Sequence, residues 1–348
     1  MHRRQVLGRA WPAKRLAVTL GAAVMAAGLA GSACSSAAPK AATGTTPASS
    51  RSSSQIIELN GPLSAAGFSQ AKLGSAAAAR ALGVSYEYNA PASLNNFVSD
   101  YSTLIREAIA RHPAAMVVGN FIPSAFDPLI QQATKSGIPV VVVNSGLPSY
   151  QKDGAIGYVG VSSSEDGQAG ASAALKAGVR HLLCVDQTTN PLVEQVCIAA
   201  ENAMRAAGGT YYQLNVPLQQ IGTPAQLTQD IQGYLASHPQ IDGVFTAGGG
   251  FGIDAATAVG NLGKTGKIKV GGNEVIPSTL QGIRNGTISF EVGLQQYLMG
   301  YYGVQIAAQY VRYNVLPATP IITSGPVIDH SNVNKEMAVA AIYPGVPG

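Results

Sequence analysis

The sequence predicts an α/β fold of two doubly wound parallel-sheet lobes joined by three crossing segments. Apolar runs such as Val140 to Val143 are short, β-branched and not alternating, which indicates strands buried on both faces of a parallel sheet. From Gln55 onward such runs alternate with helical segments, which is the pattern of βαβ units. The alternation breaks once, near Val161, and there are too many units for one sheet of ordinary size. We therefore expect two lobes of similar build.

The residues before Gln55 are expected to lie outside the folded body. Residues 2–15 contain five basic side chains and no acid, and residues 16–33 are uncharged and mostly small or apolar, which together are typical of an export signal. The prediction is a signal peptide over 1–33 and a disordered tether, rich in Ser, Ala, Thr and Pro, over 34–54.

Cys34 follows Gly31-Ser32-Ala33, so the signal resembles that of a bacterial lipoprotein, in which this cysteine is acylated and anchors the protein to the membrane. The pair Arg3-Arg4 also resembles a twin-arginine export signal. Ordinary secretory cleavage and an uncleaved anchor helix are the alternatives.

The basic character of the chain belongs to this leader. The whole chain has 22 basic and 18 acidic residues, a net charge of +4, and removing residues 1–33 leaves 17 and 18, a net charge of −1. Nothing in the remaining chain forms a basic stripe, so we expect no nucleic acid as a partner.

Turn and cap residues divide the first lobe into elements. Gly83 lies where a left-handed helix cap is expected, Ser93 is a candidate N-cap, and Pro113 stops the helix before it. The predicted strands cover 56–59, 84–88, 115–118, 140–143 and 155–161, and the predicted helices cover 69–82, 93–111 and 124–136.

The same alternation continues in the second lobe. The predicted strands cover 181–185, 211–216, 241–246, 267–271 and 287–292, and the predicted helices cover 165–176, 192–207, 224–237, 254–261 and 278–284. A long helix over 296–313 and a closing strand over 320–328 complete the chain. Crossings are expected near Val161, Val292 and Thr323, which gives a first lobe of 55–161 plus 293–322 and a second lobe of 162–292 plus 323–348.

Cys184 lies at a predicted strand end and Cys197 in the helix that follows. In an oxidising compartment the two could pair. Two buried free thiols are the favoured interpretation, because cysteine is common in protein cores.

The chain lacks the side-chain groupings that catalysis requires, so we expect neither an enzyme nor a bound cofactor or metal. The histidines are scattered, and no serine or cysteine lies in a nucleophile elbow. The glycine-rich loop 248–252 follows a strand, as phosphate loops do, but it lacks the last glycine and the lysine of those loops. The acidic pair Glu165-Asp166 is explained by a favourable interaction with the dipole of the helix that it begins.

Four segments carry a family resemblance through their order and spacing. They are GIPVVV at 137–142, YVG at 158–160 with glycines at 167 and 170, HPQIDGVF at 238–245, and IRNGTI at 283–288. Over about residues 55–330 the chain resembles the type I periplasmic binding proteins of the ribose-binding kind, which are solute-binding subunits of bacterial sugar ABC importers. The resemblance implies two hinged lobes that close on a ligand at the carboxyl ends of their strands.

At several positions where the family usually carries charged, amide or aromatic groups, this chain carries a different residue: an amide in place of a charge, a glycine or an apolar group. Those positions hold Leu63, Asn144, Val196, Gly248-Gly249, Asn273 and Leu294. Because charge-assisted hydrogen bonds to hydroxyls are stronger than neutral ones, this loss favours a small neutral polar ligand, sugar-like or polyol-like, over a carboxylate or phosphate.

The predicted ligand-binding residues lie at strand ends, in the loops after them or beside a crossing. They are Asn60, Phe68, Phe121, Asn144, Ser145, Asn190, Phe251, Asn273, Gln295 and Gln296.

By the same resemblance the chain is expected to be the extracytoplasmic solute-binding subunit of an ABC importer, and a monomer. Its expected partners are a small solute, the ABC permease subunits and, through Cys34, the membrane. A tethered sensor that presents its solute to a membrane receptor is the alternative. A gene regulator is disfavoured because an export signal stands where a DNA-binding domain would.

Overall fold

The computed structural model describes residues 55–187, 191–217, 223–248 and 250–343. The predicted export signal, the tether, Cys34 and Asn190 lie outside these residues. Within the described ranges, no helix has the length and apolar character that a bilayer crossing requires.

The first sheet has six strands, all parallel. They are β1 (Gln55–Leu59), β2 (Ser85–Asn89), β3 (Ala115–Gly119), β4 (Val140–Asn144), β5 (Gly157–Gly160) and β11 (Ile321–Ile322), in the spatial order β11-β5-β4-β3-β1-β2. Helices cover both faces because successive side chains of a strand point to opposite sides. Met116 and Val118 pack against α2 (Phe97–Ala110) and α3 (Pro123–Lys135), whereas Val117 packs against α1 (Ala66–Leu82) and α9 (Gln296–Tyr313).

The second sheet repeats this plan with one difference. Its strands are β6 (His181–Gln187), β7 (Thr210–Val216), β8 (Gly243–Thr246), β9 (Lys269–Gly272), β10 (Phe290–Val292) and β12 (Val327–Asp329), in the order β12-β10-β9-β8-β6-β7. All neighbours are parallel except β10 and β12, which are antiparallel. One face carries α4 (Ser163–Lys176) and α5 (Pro191–Ala206), and the other carries α6 (Pro224–Ser237), α7 (Phe251–Asn261), α8 (Pro277–Asn285) and α10 (Val333–Ile342).

The chain passes three times between the sheets, at 161–162, 293–295 and 323–326. Backbone hydrogen bonds tie the last two passages together: the N–H of Gly293 donates to Pro326 O at 3.0 Å, and the N–H of Gly325 donates to Gly293 O at 2.6 Å. The N–H of Ser162 donates to Ser324 Oγ at 2.9 Å, which joins the first passage to the third. The prediction of two doubly wound lobes with three crossings is therefore confirmed.

Three details of the predicted elements are wrong. The expected closing strand over 320–328 is two strands in different sheets, β11 and β12, and α10 was not predicted. The helix expected from Ser93 begins at Phe97. The Ser93 hydroxyl accepts a hydrogen bond from the backbone N–H of Asn95 at 3.3 Å, so this side chain stabilises a local turn and does not cap a helix.

The expectation of two free thiols is also wrong. Cys184 on β6 and Cys197 on α5 form a disulfide with Cα atoms 5.9 Å apart. Both side chains are fully buried in the layer between the second sheet and α5, so neighbouring packed elements bring the sulfurs together.

Candidate functional site

A cavity of about 170 Å³ lies between the carboxyl ends of the two sheets. It is small beside the pockets that hold drug-sized molecules, so it suits a ligand of monosaccharide size. Both lobes line it: the first mainly with apolar and aromatic groups, the second with a mixture of apolar and acidic groups. The lining residues are Ala65, Phe68, Leu94, Phe97, Phe121, Ile122, Asn144, Ser145, Val161, Ser163, Asp166, Val193, Val196, Ala247, Gly248, Asn273, Glu274, Leu294 and Gln296.

The wall from the first lobe is an aromatic cluster centred on Phe121. Its ring meets Phe68 and Phe97 edge to face, with centroids 5.5 and 5.6 Å apart. Behind it, the buried hydroxyl of Tyr101 donates to Leu59 O at 2.6 Å and lies 3.0 Å from Gly119 O, at the ends of β1 and β3. The aromatic wall is thus fixed to the sheet before any ligand arrives, and it offers a surface for the apolar face of a ring.

Asn144 ends β4 with a left-handed backbone, φ 66°, which asparagine tolerates better than most residues. Its Nδ2 donates to Oε1 of Gln296 at 3.3 Å, and its Oδ1 accepts from the hydroxyl of Ser145 at 3.3 Å. The Tyr158 hydroxyl holds the backbone by donating to Asn144 O at 2.8 Å. Asn144 therefore joins the end of β4 to the start of α9 at the cavity.

In the second lobe, Asp166 lies in the first turn of α4 and is only 1% exposed. Neither of its carboxyl oxygens has a hydrogen-bond partner of normal geometry among the described residues. Burial raises the pKa of Asp166 to about 7, and the side chains of Ser324 and Asn273 partly oppose that shift. The group therefore titrates near neutral pH and has acceptor capacity to spare.

Asn273 and Glu274 follow β9. The Oδ1 of Asn273 is buried with no hydrogen-bond partner in the described part of the chain. Burial raises the pKa of Glu274 to about 7, opposed by a hydrogen bond from the Gly67 backbone. The Glu274 N–H donates at 3.2 Å to the carboxyl group of Glu291, whose own pKa burial raises well above its usual value.

Among the described residues, two contacts bridge the lobes beside the cavity. The Gly67 contact with Glu274 is one, and the Nε2 of Gln70 donates to Val275 O at 3.4 Å as the other. Both connect the start of α1 to the loop between β9 and α8. The described structure is therefore closed on this side of the cavity.

The structure brings together most of the predicted site residues. Those that line the cavity are Phe68, Phe121, Asn144, Ser145, Asn273 and Gln296.

The other predicted residues lie elsewhere. Asn60 is buried beside Glu58, donating to its Oε1 at 3.0 Å, and Phe251 packs in the core of the second lobe. Gln295 lies against Gly325 at the crossing, and Asn190 is outside the described residues.

Sequence reasoning missed Asp166, Glu274 and Phe97. Asp166 has an ordinary explanation as an acid at a helix start, and Phe97 has the helical spacing of a core residue. Of these three residues, only Glu274 could have been found from the sequence, because it directly follows the predicted site residue Asn273. Val196 and Leu294, which replace polar residues of the family, do line the cavity as apolar groups.

The lining that the structure describes contains no Lys, Arg or His. Within the described residues, no group of three or more His, Cys, Asp or Glu side chains is placed to hold a metal ion.

Comparisons with known proteins agree with this architecture. The sequence pattern of the family described as "Periplasmic binding protein domain" matches residues 59–314. The xylose/arabinose-binding protein XylF of Sulfolobus acidocaldarius is 25% identical over 273 residues, which cover 71% of this chain and 65% of that protein's length.

Solved structures show the same fold. A carbohydrate transporter from Acidothermus cellulolyticus 11B, in complex with myo-inositol, has a TM-score of 0.73 and 25% identity, covering 83% of this chain and 97% of that chain. The periplasmic ribose ABC transporter of Conexibacter woesei DSM 14684 has a TM-score of 0.71 and 21% identity, covering 86% and 99%. At the latter identity the likeness concerns the fold alone.

Proposed function

The chain belongs to the family of periplasmic binding protein domains, and from this membership we propose that it is the extracytoplasmic solute-binding subunit of an ABC importer for a small sugar-like or polyol-like ligand. The relatives reported above are named for the molecule they bind or transport, and none is named for a reaction. The proposal assigns the ligand to the cavity between the lobes.

The observation that carries the proposal is the composition of the cavity walls. Phe68, Phe121 and Asn144 come from the first lobe, and Asp166 and Asn273 come from the second. A ligand that contacts both walls stabilises the closed arrangement over an open one, because only the closed arrangement offers both sets of contacts. That coupling gives a permease a ligand-dependent shape to recognise.

The proposal extends to the leader. Export of the chain, acylation of Cys34 and a tether over 34–54 would hold the binding body at the membrane surface beside its permease. We expect the chain to fractionate with membranes and the Cys34→Ala variant to be released. Size-exclusion chromatography with light scattering tests the expected monomer.

A tethered sensor is the second candidate, because the same closed form would also suit a membrane receptor. Neighbouring genes separate the two: genes for an ABC permease and ATPase support import, and a gene for a sensor kinase supports signalling.

A thermal-shift screen of the body from residue 55 tests the binding function. The starting panel is neutral pentoses, hexoses and cyclitols, each with its amine-bearing counterpart. A solute present at a hundredfold excess over its Kd should stabilise the protein by about 2.7 kcal/mol. If no member of the panel stabilises the protein, the proposed ligand class is wrong.

A further inference from the structure

We propose that the ligand of this cleft carries a protonated amine, as an amino sugar or an aminocyclitol does, and that Asp166 and Asn273 receive it. This inference rests on the proposed function, because it names the ligand class of the same site.

The first argument is a match of hydrogen-bonding groups. Three buried oxygens beside the cavity lack a hydrogen-bond partner of normal geometry in the described structure: both carboxyl oxygens of Asp166, which the side chains of Ser324 and Asn273 only approach, and the Oδ1 of Asn273. The two side chains are 1% and 5% exposed, and they are close enough for Asn273 to lower the pKa of Asp166. A buried acceptor without a donor is costly, so the ligand is the natural source of donors. A hydroxyl group supplies one donor, whereas an ammonium group supplies three and no acceptor.

The second argument is charge. Asp166 and Glu274 are the ionisable groups in the described lining, and both are acids. The groups that act on Asp166 are the carboxylate of Glu165 on the same helix and the polar side chains of Ser324 and Asn273, none of which is cationic. Behind Glu274 lies another acid, Glu291. A buried carboxylate is stabilised when an opposite charge pairs with it, and because no cationic side chain belongs to the described lining, a ligand can supply that charge.

The aromatic wall favours the same ligand class. Phe68, Phe97 and Phe121 present an apolar surface in the first lobe, while the acceptors lie in the second. A ring that packs against the phenylalanines can turn its substituents toward Asp166. The sequence predicts a neutral ligand because charged residues of the family are replaced at other positions. That prediction took no account of Asp166 and Glu274.

Matched ligand pairs test the inference by isothermal titration calorimetry. The pairs are glucosamine with glucose, galactosamine with galactose, and scyllo-inosamine with scyllo-inositol, which exchange an ammonium for a hydroxyl. Because hydrogen bonds to charged groups are stronger than neutral ones, at least one amine should bind about tenfold or more tightly than its partner.

Proton release gives a second readout that needs no variant. Asp166 has a pKa of about 7, so at pH 6 it is mostly protonated while the amine is charged. Binding of the amine at pH 6 should therefore release about one proton, measured in two buffers with different ionisation enthalpies. The neutral partner should release almost none.

Asp166→Asn should remove both the preference for the amine and the proton release. The matched control is Glu165→Gln, which loses the same charge one residue away on the exposed side of α4 and should keep both. If Asp166→Asn fails to fold, proton release by the unaltered protein decides.

The outcomes separate the two proposals. If neutral sugars bind as tightly as their amines, with no proton release, the amine inference is overturned and the proposed function stands. If no member of any pair binds, both are overturned.

Discussion

The backbone N–H of Gly67 in the first lobe donates a hydrogen bond to the carboxylate of Glu274 in the second. The Oε1 of Glu274 and the Nε2 of Gln296 together occupy the space that a Cβ at position 67 needs. Glycine at position 67 therefore leaves room for the Glu274 side chain of the second lobe to lie directly against the first lobe.

Gly67→Ala should weaken ligand binding by about tenfold or more, because the added methyl group separates Gly67 from Glu274 in the closed form. The ligand-free protein should be as stable as before or more stable by up to about 1 kcal/mol, since alanine favours a helix over glycine. Calorimetry and thermal unfolding measure the two effects.

The control for this variant is Gly233→Ala in α6, where a Cβ meets nothing within 4 Å. It should raise stability and leave affinity unchanged. Unaltered affinity in Gly67→Ala would show that the contact between the lobes does not contribute to binding.

Asn144→Gly should abolish most of the thermal shift that a ligand produces. Glycine keeps the left-handed backbone of residue 144 without strain, so the variant removes only the side chain that joins β4 to Gln296. Asn314→Gly is the control, because Asn314 has a similar φ of 55° at the far end of α9. A full ligand shift in Asn144→Gly would mean that the site lies elsewhere.

Replacing both Cys184 and Cys197 by alanine should lower the free energy of unfolding by about 3 kcal/mol. The disulfide closes a loop across a sequence separation of 13, and cross-links of this span restrict the unfolded chain by about that amount. Urea unfolding of the oxidised, reduced and doubly substituted proteins measures the effect. Two titratable thiols from these positions in the unfolded, unreduced protein would contradict the cross-link.

The ligand-free protein should lose stability as the pH rises from about 4 to 7. Burial raises the pKa of Asp166 and of Glu274 to about 7, and that of Asp254 to about 6, so the folded state holds protons that the unfolded state has released. The stabilising contribution of each carboxyl group is complete below the pKa that the group has in the unfolded chain. It is lost as the pH rises through the higher pKa that the group has in the folded protein.

Asp166→Asn should flatten this pH dependence by no more than about 4 kcal/mol, and the exposed Glu165→Gln should flatten it only slightly, because the Glu165 charge is the smallest cause of the raised pKa. Chemical unfolding at a series of pH values makes the comparison. A difference between wild type and Asp166→Asn that does not vary with pH would contradict the raised pKa.

The sequence was sufficient for the architecture because parallel strands buried on both faces leave continuous β-branched runs, such as Val140 to Val143. It failed at the end of the chain, where the four residues between β11 and β12 cross from one sheet to the other while the apolar pattern continues. Short edge strands have too few residues to reveal such a change.

For the site, strand ends predicted Asn144 and Asn273 because the carboxyl ends of parallel strands meet at one edge. The positions of strand ends could not reveal Asp166, because its burial depends on how α4 packs near the crossing segment at Ser324. Asn60 also follows a strand, but its side chain donates to Glu58, a buried acid that also accepts a hydrogen bond from the hydroxyl of Tyr86 on the neighbouring strand. Such burial is a property of the tertiary structure.

The late position of α9 and β11 in the chain has a consequence for biosynthesis. Gly303 of α9 packs closely against Val117 and Val143, and β11 forms the edge beside β5, so both complete a lobe whose other strands were made much earlier. A nascent polypeptide that stops before residue 296 lacks the α9 part of the cover over that valine-lined surface, and of the described helices α1 alone packs there. We therefore expect the first lobe to complete its core only when almost the entire chain has been made.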